Sequence, residues 1–281
     1  MKKIAFLFSG QSRCNPLSHN SNKCNTIIES YNKYIFTEYF KKNYLYDIFI
    51  STDDTHLSNT LDYFGIDNVK NIHLLNTGFY KEEITWPLPC IDQFIDKYRR
   101  EDKYGRQSYE GSIYQHYKIY DCFNLLENYT SCYDYDYIIR LRLDTIFDYD
   151  VSEYIKYLDE NINVHILTRW DFFAIGKPDI MKYYCCSLKN RYGTYNFNTN
   201  IDDIDYIGFC NDNRHFEDNY KDLKNNNLHR WTFAPEIQLF ETLFEFCNKH
   251  GLDINETIKD PIRNSDIINP NLKKEVCFVV K

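Results

Sequence analysis

The sequence is poor in glycine and methionine and has fewer basic than acidic residues. Only 9 glycines and 2 methionines occur in 281 residues, and no glycine belongs to a Walker lysine loop or a G-x-G-x-x-G turn. P-loop kinases and dinucleotide-dependent enzymes are therefore excluded. The 33 Lys and Arg residues against 41 Asp and Glu give a net charge of −8. Because a phosphate backbone requires a basic face, we expect no nucleic-acid partner and no binding to anionic membranes.

Long apolar runs and paired cysteine motifs are also missing. No stretch approaches the roughly 20 apolar residues that cross a bilayer, and the run after Lys2 and Lys3 is too short for the core of a secretion signal. We therefore expect a soluble, cytoplasmic protein with no membrane span. The 10 cysteines form no C-x-x-C pair, which predicts reduced, mostly buried thiols. H-E-x-x-H, a G-x-S-x-G elbow and zinc spacing are absent as well.

Short apolar runs alternate with helical periodicity, which is typical of an α/β protein. Ile4–Phe8, Asp47–Ser51 and Val69–Leu75 have the composition of buried strands, and Asn22–Lys42 has helical spacing. This pattern predicts a mixed, mostly parallel sheet flanked by helices in one domain. We further predict helices over 55–64, 110–129, 151–158, 178–186 and 235–250, strands over 137–143, 164–167, 172–175 and 275–280, and irregular chain over 76–108 and 187–228.

The strand predicted over 137–143 is the centre of this organisation. It alternates apolar and basic side chains, places Arg140 and Arg142 on one face, and ends at Asp144. The loops at 9–13 and 51–54 also follow strands. Ligands of open α/β sheets bind beyond the carboxyl ends of the strands, so we expect these three segments to surround a ligand-binding cleft.

Four motifs in this order resemble small GT-A-type glycosyltransferases, and those of giant viruses and bacterial polysaccharide loci most closely. They are Ser-Gly-Gln-x-Arg at 9–13, Gln-x-x-Lys at 115–118, Tyr-Asp-Tyr-Ile-Ile-Arg-x-Arg-x-Asp at 135–144 and Asp-x-x-x-Ile-Gly-Lys-Pro at 171–178. The resemblance covers most of 1–185 and the Pro-Glu helix at 235. It implies a GT-A-like, Rossmann-type fold that transfers a sugar from a nucleotide sugar to a glycan hydroxyl. Residues 1–150 would bind the donor and 151–281 the acceptor, in the host cytoplasm if the protein is viral.

The resemblance also implies a divalent metal, Mn²⁺ or Mg²⁺, held by an Asp-x-Asp motif against the donor diphosphate. Here Arg142 occupies the first Asp position and Asp144 the second. Asp144 is thus either a ligand of metal or donor sugar or a structural carboxylate. Arg140 or Arg142 could bind phosphate in place of the metal. His229 is a candidate third metal ligand, with an ordinary histidine as the alternative.

The remaining site residues follow from the same resemblance. Asp171 is the first candidate for the base that deprotonates the acceptor and Glu236 the second, although a helix dipole favours a carboxylate at Glu236 regardless of function. Trp170 would pack against the acceptor, or else belong to the core. Predicted donor contacts are Ser9, Gly10, Gln11, Arg13, Thr52, Asp53, Gln115, Lys118, Arg140, Arg142 and Asp144. Arg13, Asp53, Gln115, Lys118 and Arg142 each have a purely structural role as the alternative. A nucleotidyltransferase and a non-catalytic carbohydrate- or partner-binding protein are the alternative functions.

Overall fold

A mixed seven-stranded sheet forms the centre of the computed structural model. The strand order is β3-β2-β1-β4-β7-β6-β8, and a separate pair is formed by β5 and β9. The strands are β1 (Lys2–Ser9), β2 (Tyr44–Thr52), β3 (Val69–Leu74), β4 (Tyr137–Arg142), β5 (Thr145–Phe147), β6 (Ile166–Arg169), β7 (Phe173–Gly176), β8 (Ile258–Lys259) and β9 (Cys277–Val279). The structure describes residues 1–10, 21–52, 68–74, 108–143, 145–147, 149–169, 171–187, 235–259 and 277–279.

The first four strands of the sheet are parallel, as expected for buried apolar runs joined by crossovers. Strand β1 lies between β2 and β4 and pairs in parallel with both, and β3 adds in parallel to β2. Strand β7 is antiparallel to both β4 and β6. The residues just before β7 therefore lie at the same edge of the sheet as the carboxyl end of β4. The predicted mixed, mostly parallel α/β architecture is confirmed.

Seven α-helices are described. They are α1 (Ser21–Tyr34), α2 (Glu38–Asn43), α3 (Ser108–Tyr129), α4 (Val151–Glu160), α5 (Pro178–Cys185), α6 (Pro235–His250) and α7 (Ile254–Thr257). The helix predicted over 22–42 is two helices, because the Thr37 side chain accepts a hydrogen bond from the amide of Phe40 and caps a new helix. None of the described helices is long and apolar enough to cross a bilayer.

Two apolar layers cover the two faces of the sheet. One layer joins Phe6, Phe8 and Ile139 to α1, α2 and α4, and the other joins Leu7, Ile138 and Ala174 to α3, α5 and α6. Alternation along β4 places Arg140 and Arg142 on the second face, with Ile138. Of the cysteines in the described segments, the free thiols Cys122, Cys132, Cys185 and Cys247 are buried, as predicted. The predicted helix over 55–64 lies outside the described residues, as do all but one residue of each stretch predicted to be irregular, 76–108 and 187–228. The two described residues, Ser108 and Ser187, are helical.

Candidate functional site

A row of polar residues crosses four adjacent strands at their carboxyl ends. His73 pairs with Ser51, Ser51 with Ser9, and Ser9 with Arg142. Residues paired in this way lie on the same face of a sheet. Ser9 and Ser51 are fully buried, whereas the His73 side chain is 40% exposed, so the row is buried in its middle and reaches the surface at His73.

Arg140 is the most deeply buried charge of the site. Its side chain is 1% exposed, and its Nε donates a 3.2 Å hydrogen bond to Ser9 Oγ. Its Nη1 is buried and has no hydrogen-bond partner among the described residues. A buried guanidinium with unmet donors is costly unless an acceptor pairs with it, so Nη1 marks a place where an anion would be stabilised.

Arg142 is held at the end of β4 by an ion pair and an aromatic contact. Its Nη1 lies 3.0 Å from Asp171 Oδ2, and its guanidinium carbon lies 5.2 Å from the centre of the Phe172 ring. The side chain remains 17% exposed. The guanidinium group of Arg142 is therefore preorganised for binding and remains accessible to a ligand.

Asp171 lies between the central strand and α3. It is 2% exposed, and its Oδ2 accepts hydrogen bonds from Gln115 Nε2 and from Arg142. Its Oδ1 has no partner among the described residues. Burial raises the pKa of the Asp171 carboxyl, and the nearby guanidinium groups of Arg142 and Arg140 oppose that rise without cancelling it.

Helix α3 supplies polar side chains at three-residue intervals above this edge of the sheet. Gln115 contacts Asp171, Lys118 is 7% exposed, and Asp121 Oδ2 accepts 2.6 Å and 2.8 Å hydrogen bonds from Ser51 Oγ and His73 Nδ1. Residues three apart lie on one face of a helix. Because Gln115 reaches the start of β7 and Asp121 reaches β2 and β3, this face spans the carboxyl edge.

Backbone hydrogen bonds fix the ends of the strands. The Gly10 amide donates to the Ser51 carbonyl at 3.1 Å, and Gly10 has a φ of 113°, which favours glycine. The Arg142 amide donates to the Phe172 carbonyl at 3.2 Å. The loops after β1 and β4 therefore leave the sheet from fixed points.

The described part of the site suits an anion. It contributes three cationic side chains, Lys118, Arg140 and Arg142, beside the carboxylates of Asp121 and Asp171. Within the described segments no group of three or more His, Cys, Asp or Glu residues could hold a metal ion. Guanidinium and ammonium groups are donors for phosphate oxygens. Asp144 and His229, the predicted metal ligands, lie outside the described residues, as do Gln11, Arg13, Asp53 and Trp170.

Several predicted site residues do come together. Ser9, Gln115, Arg140, Arg142 and Asp171 form one connected set. Thr52 ends β2, and Gly10 follows β1, at the same edge. Glu236 lies in the first turn of α6, but its side chain is not among those described.

Sequence reasoning missed Ser51, His73 and Asp121. The signal for Asp121 was its position, six residues after Gln115 and three after Lys118, a spacing that places the three residues on one side of a helix. Ser51 belongs to the segment 51–54 that the cleft hypothesis used, although it was not itself a predicted contact. His73 lies near the end of the strand predicted over 69–75, whose following loop that hypothesis did not include. The mutual contacts of Ser51, His73 and Asp121 depend on strand register, which the sequence does not state.

Comparison with known proteins identifies similar solved structures only. No family model matches the chain, and no curated protein matches its sequence. The crystal structure of mouse xyloside xylosyltransferase 1 in its apo form aligns with 100% of this chain and 97% of that chain, at a TM-score of 0.39 and 9% identity. The X-ray structure of the mannosyltransferase Ktr4p from S. cerevisiae in complex with GDP aligns with 85% of this chain at a TM-score of 0.30 and 15% identity.

This chain spans 52% of the yeast protein. At such identities and TM-scores, no residue role or activity is transferred from either protein to this chain.

Proposed function

We propose that the protein is a glycosyltransferase that moves a sugar from a nucleotide-sugar donor to a hydroxyl acceptor. The observation that carries this proposal is the buried Nη1 of Arg140, which has no hydrogen-bond partner in the part of the chain that the structure describes. It lies between β1 and β4, from which the chain continues in opposite directions along the sheet, towards β2 and towards β7. Open α/β sheets bind ligands beyond the carboxyl ends of strands at such a point. A diphosphate would supply the anion that the buried guanidinium needs.

The charges of the site match the needs of the leaving group. Transfer of the sugar leaves negative charge on the nucleoside diphosphate, and preorganised cationic donors in a closed site stabilise such charge. Arg140 and Arg142 have planar guanidinium groups that can bind phosphate oxygens through two hydrogen bonds each. Lys118 adds a third positive charge from α3.

The arginines of the site alter the proposed need for a metal ion. If bound, Mn²⁺ or Mg²⁺ would be held by Asp144, with His229 as a further candidate ligand, and would neutralise the diphosphate. Arg142 replaces a carboxylate with a guanidinium, which cannot ligate a metal but can bind phosphate directly. We therefore propose that the arginines take over part of the metal's charge-neutralising role.

Asp171 is the proposed base for the acceptor hydroxyl, with Glu236 as the second candidate. Oδ2 of Asp171 holds Arg142 and Gln115, which leaves Oδ1 to receive a proton. Its raised pKa moves the carboxyl towards the range in which a base works near neutral pH. Trp170 precedes Asp171 and would pack against the acceptor sugar.

A thermal-shift panel tests the donor site. UDP, GDP, CMP and their sugars are added with and without Mn²⁺, and one nucleotide class should stabilise the protein, by about 2.7 kcal/mol at a hundredfold excess over Kd. Arg142→Gln should abolish that shift. Lys182→Gln is the matched control. It also removes one positive charge and one 3.0 Å ion pair, that of Lys182 with Glu127, but Glu127 lies near the end of α3 that is remote from Gln115. If no nucleotide shifts the melting temperature at millimolar concentration, the proposal fails.

Calorimetry of Arg142→Lys tests the role of the guanidinium group. This variant should bind diphosphate more weakly, because it keeps the charge and loses the planar fork.

The reaction products separate the proposed activity from its alternatives. Release of a nucleoside diphosphate from a nucleotide sugar indicates glycosyl transfer or hydrolysis, whereas release of pyrophosphate from a nucleoside triphosphate indicates nucleotidyl transfer. Glycan binding with neither product would indicate a non-catalytic protein.

A further inference from the structure

We propose that α1 fixes the turn between β4 and β5 at two points, and that Tyr31 and Ser30 are its positioning residues. This turn carries Arg142 at its start and contains Asp144. The inference rests on the proposed function for its catalytic consequence, while its structural content stands on hydrogen bonds of the described residues.

The first point of attachment is the last carbonyl of β4. The Tyr31 hydroxyl donates a 2.8 Å hydrogen bond to the backbone carbonyl of Arg142. Tyr31 is 2% exposed, and its ring packs against Phe8 and Phe147 with ring centres 5.7 Å and 5.9 Å apart. Because the ring is enclosed by other aromatic rings, its hydroxyl is a fixed support for the Arg142 backbone.

The second point of attachment lies on the far side of the turn. The Phe147 amide of β5 donates a 3.2 Å hydrogen bond to Ser30 Oγ, and that hydroxyl itself donates to the Ile27 carbonyl at 2.6 Å. Ser30 is 6% exposed. Its hydroxyl is therefore orientated by the helix and presents a lone pair to β5.

The two attachments confine the segment between them. Only residues 143–146 lie between the Arg142 carbonyl and the Phe147 amide along the chain, and both anchors are adjacent residues of one helix. Leu143 and Thr145, on either side of Asp144, are 1% and 0% exposed. Helix α1 therefore restrains the backbone that presents Arg142 to the diphosphate.

The test compares Tyr31→Phe with a matched control. Tyr135 is 3% exposed and donates an equally short 2.8 Å hydrogen bond to Asp47 Oδ2, next to the amino ends of β1 and β4. Tyr135→Phe thus removes the same kind of buried hydroxyl far from the turn. Amide hydrogen exchange of peptides covering 142–147, and the affinity for the nucleotide that stabilises the wild type, are measured for both variants and for Ser30→Ala.

We expect exchange in 142–147 to rise about tenfold in Tyr31→Phe and in Ser30→Ala, since local opening becomes easier where one of two supports is lost. Nucleotide affinity should fall about tenfold in the same two variants, and Tyr135→Phe should change neither quantity. Equal exchange in the two tyrosine variants would overturn the inference. A wild type that binds no nucleotide while Tyr31→Phe still loosens 142–147 would refute the proposed function and leave the two-point attachment intact.

Discussion

Asp171 is the residue in which burial and neighbouring charge compete most directly. Its carboxyl is almost fully buried beside two guanidinium groups, so either protonation state has a cost. Desolvation disfavours the carboxylate, and the proximity of Arg142 and Arg140 favours it. The resulting pKa is raised, so the contribution of Asp171 to the unfolding free energy depends on pH.

Replacing Asp171 should change how stability depends on pH. A carboxyl whose pKa is raised on folding contributes stability that is full below its unfolded pKa of about 3.9 and is lost as pH rises through the folded pKa. The unfolding free energy of the wild type minus that of Asp171→Asn should therefore fall as the pH rises above about 4. Denaturant unfolding at a series of pH values measures this difference.

Glu127 provides a control of the opposite sign. Burial opposes its ionisation, but hydrogen bonds from Cys132 and Lys182 outweigh that effect and lower its pKa. Its contribution should be present above its unfolded pKa of about 4.3 and lost as the pH falls, so the difference between wild type and Glu127→Gln should rise with pH. Parallel behaviour of the two variants would contradict the charge assignment at Asp171.

Asp144 is the residue for which we predict the largest catalytic effect. It follows two basic positions of β4, and a carboxylate beside a bound diphosphate requires a cation or a sugar hydroxyl as its partner. Asp144→Asn keeps the shape and removes the charge. Donor hydrolysis or transfer should fall at least about a hundredfold, and the melting temperature should stay level or rise.

The control for Asp144 is a nearby acidic residue with a known structural contact. Asp150 caps α4 by accepting a 2.8 Å hydrogen bond from the Ser152 amide, so Asp150→Ala should cost about 1 kcal/mol of stability and leave turnover intact. If Asp144→Asn instead retained activity and lost several kcal/mol of stability, Asp144 would be part of a buried ion pair with Arg140 or Arg142.

At the scale of elements, side-chain periodicity predicted most helices and strands and missed two of the shortest strands. Helix α6 has its predicted bounds, Pro235–His250, because proline suits a first turn and Gly251, with a φ of 65°, suits the residue after a helix. The two-residue strand β8 and three-residue strand β5 were not predicted. Such short strands exist through their partners rather than through a pattern of their own.

The same distinction applies to the site. The carboxyl ends of β1, β2 and β4 could be predicted to meet, because parallel strands share an edge. The Arg142–Asp171 ion pair could not, because it depends on β7 running antiparallel to β4. On α3, Gln115 and Lys118 were predicted from the resemblance, and Asp121 was missed, since an acidic residue on a helix is usually solvated.

The pairing of β6 with β7 depends on one glycine. A Cβ at Gly176 would lie 2.7 Å from the His165 carbonyl oxygen and 3.1 Å from Ile166 Cβ. A backbone oxygen in a sheet cannot move aside easily, so Gly176→Ala should cost about 1–3 kcal/mol, the usual range for overpacking. Chemical denaturation measures the loss.

Gly251→Ala separates crowding from backbone strain. Gly251 has a φ of 65°, and no atom of the described residues outside its immediate chain neighbours lies within 4 Å of the position that a Cβ would take. Alanine there should therefore cost about 1–2 kcal/mol through its left-handed conformation alone.

A second substitution at Ile166 tests the crowding at Gly176. Replacing Ile166 with a smaller residue should recover part of the stability lost in Gly176→Ala and none of that lost in Gly251→Ala. Failure to recover any would show that the contact with the His165 carbonyl decides the whole cost.

At the scale of the whole molecule, the two halves share one sheet and both of its apolar layers. Strand β4 pairs with β1 on one side and with β7 on the other, and the layer around Phe8 and Ile139 includes Phe173 and Ile175. The predicted boundary between a donor half, 1–150, and an acceptor half, 151–281, would therefore separate two strands, β4 and β7, that are paired in one sheet.

A fragment of residues 1–150 should not fold on its own. It would expose the edge of β4 that pairs with β7, an unpaired apolar edge of the kind that promotes aggregation, and would leave Phe147 without its contact with Phe173. The full chain should unfold in a single transition, with coincident far- and near-ultraviolet circular dichroism curves. A soluble 1–150 fragment with its own cooperative transition would show that the donor half is an independent domain, and binding of a nucleotide to that fragment would then place the donor site within it entirely.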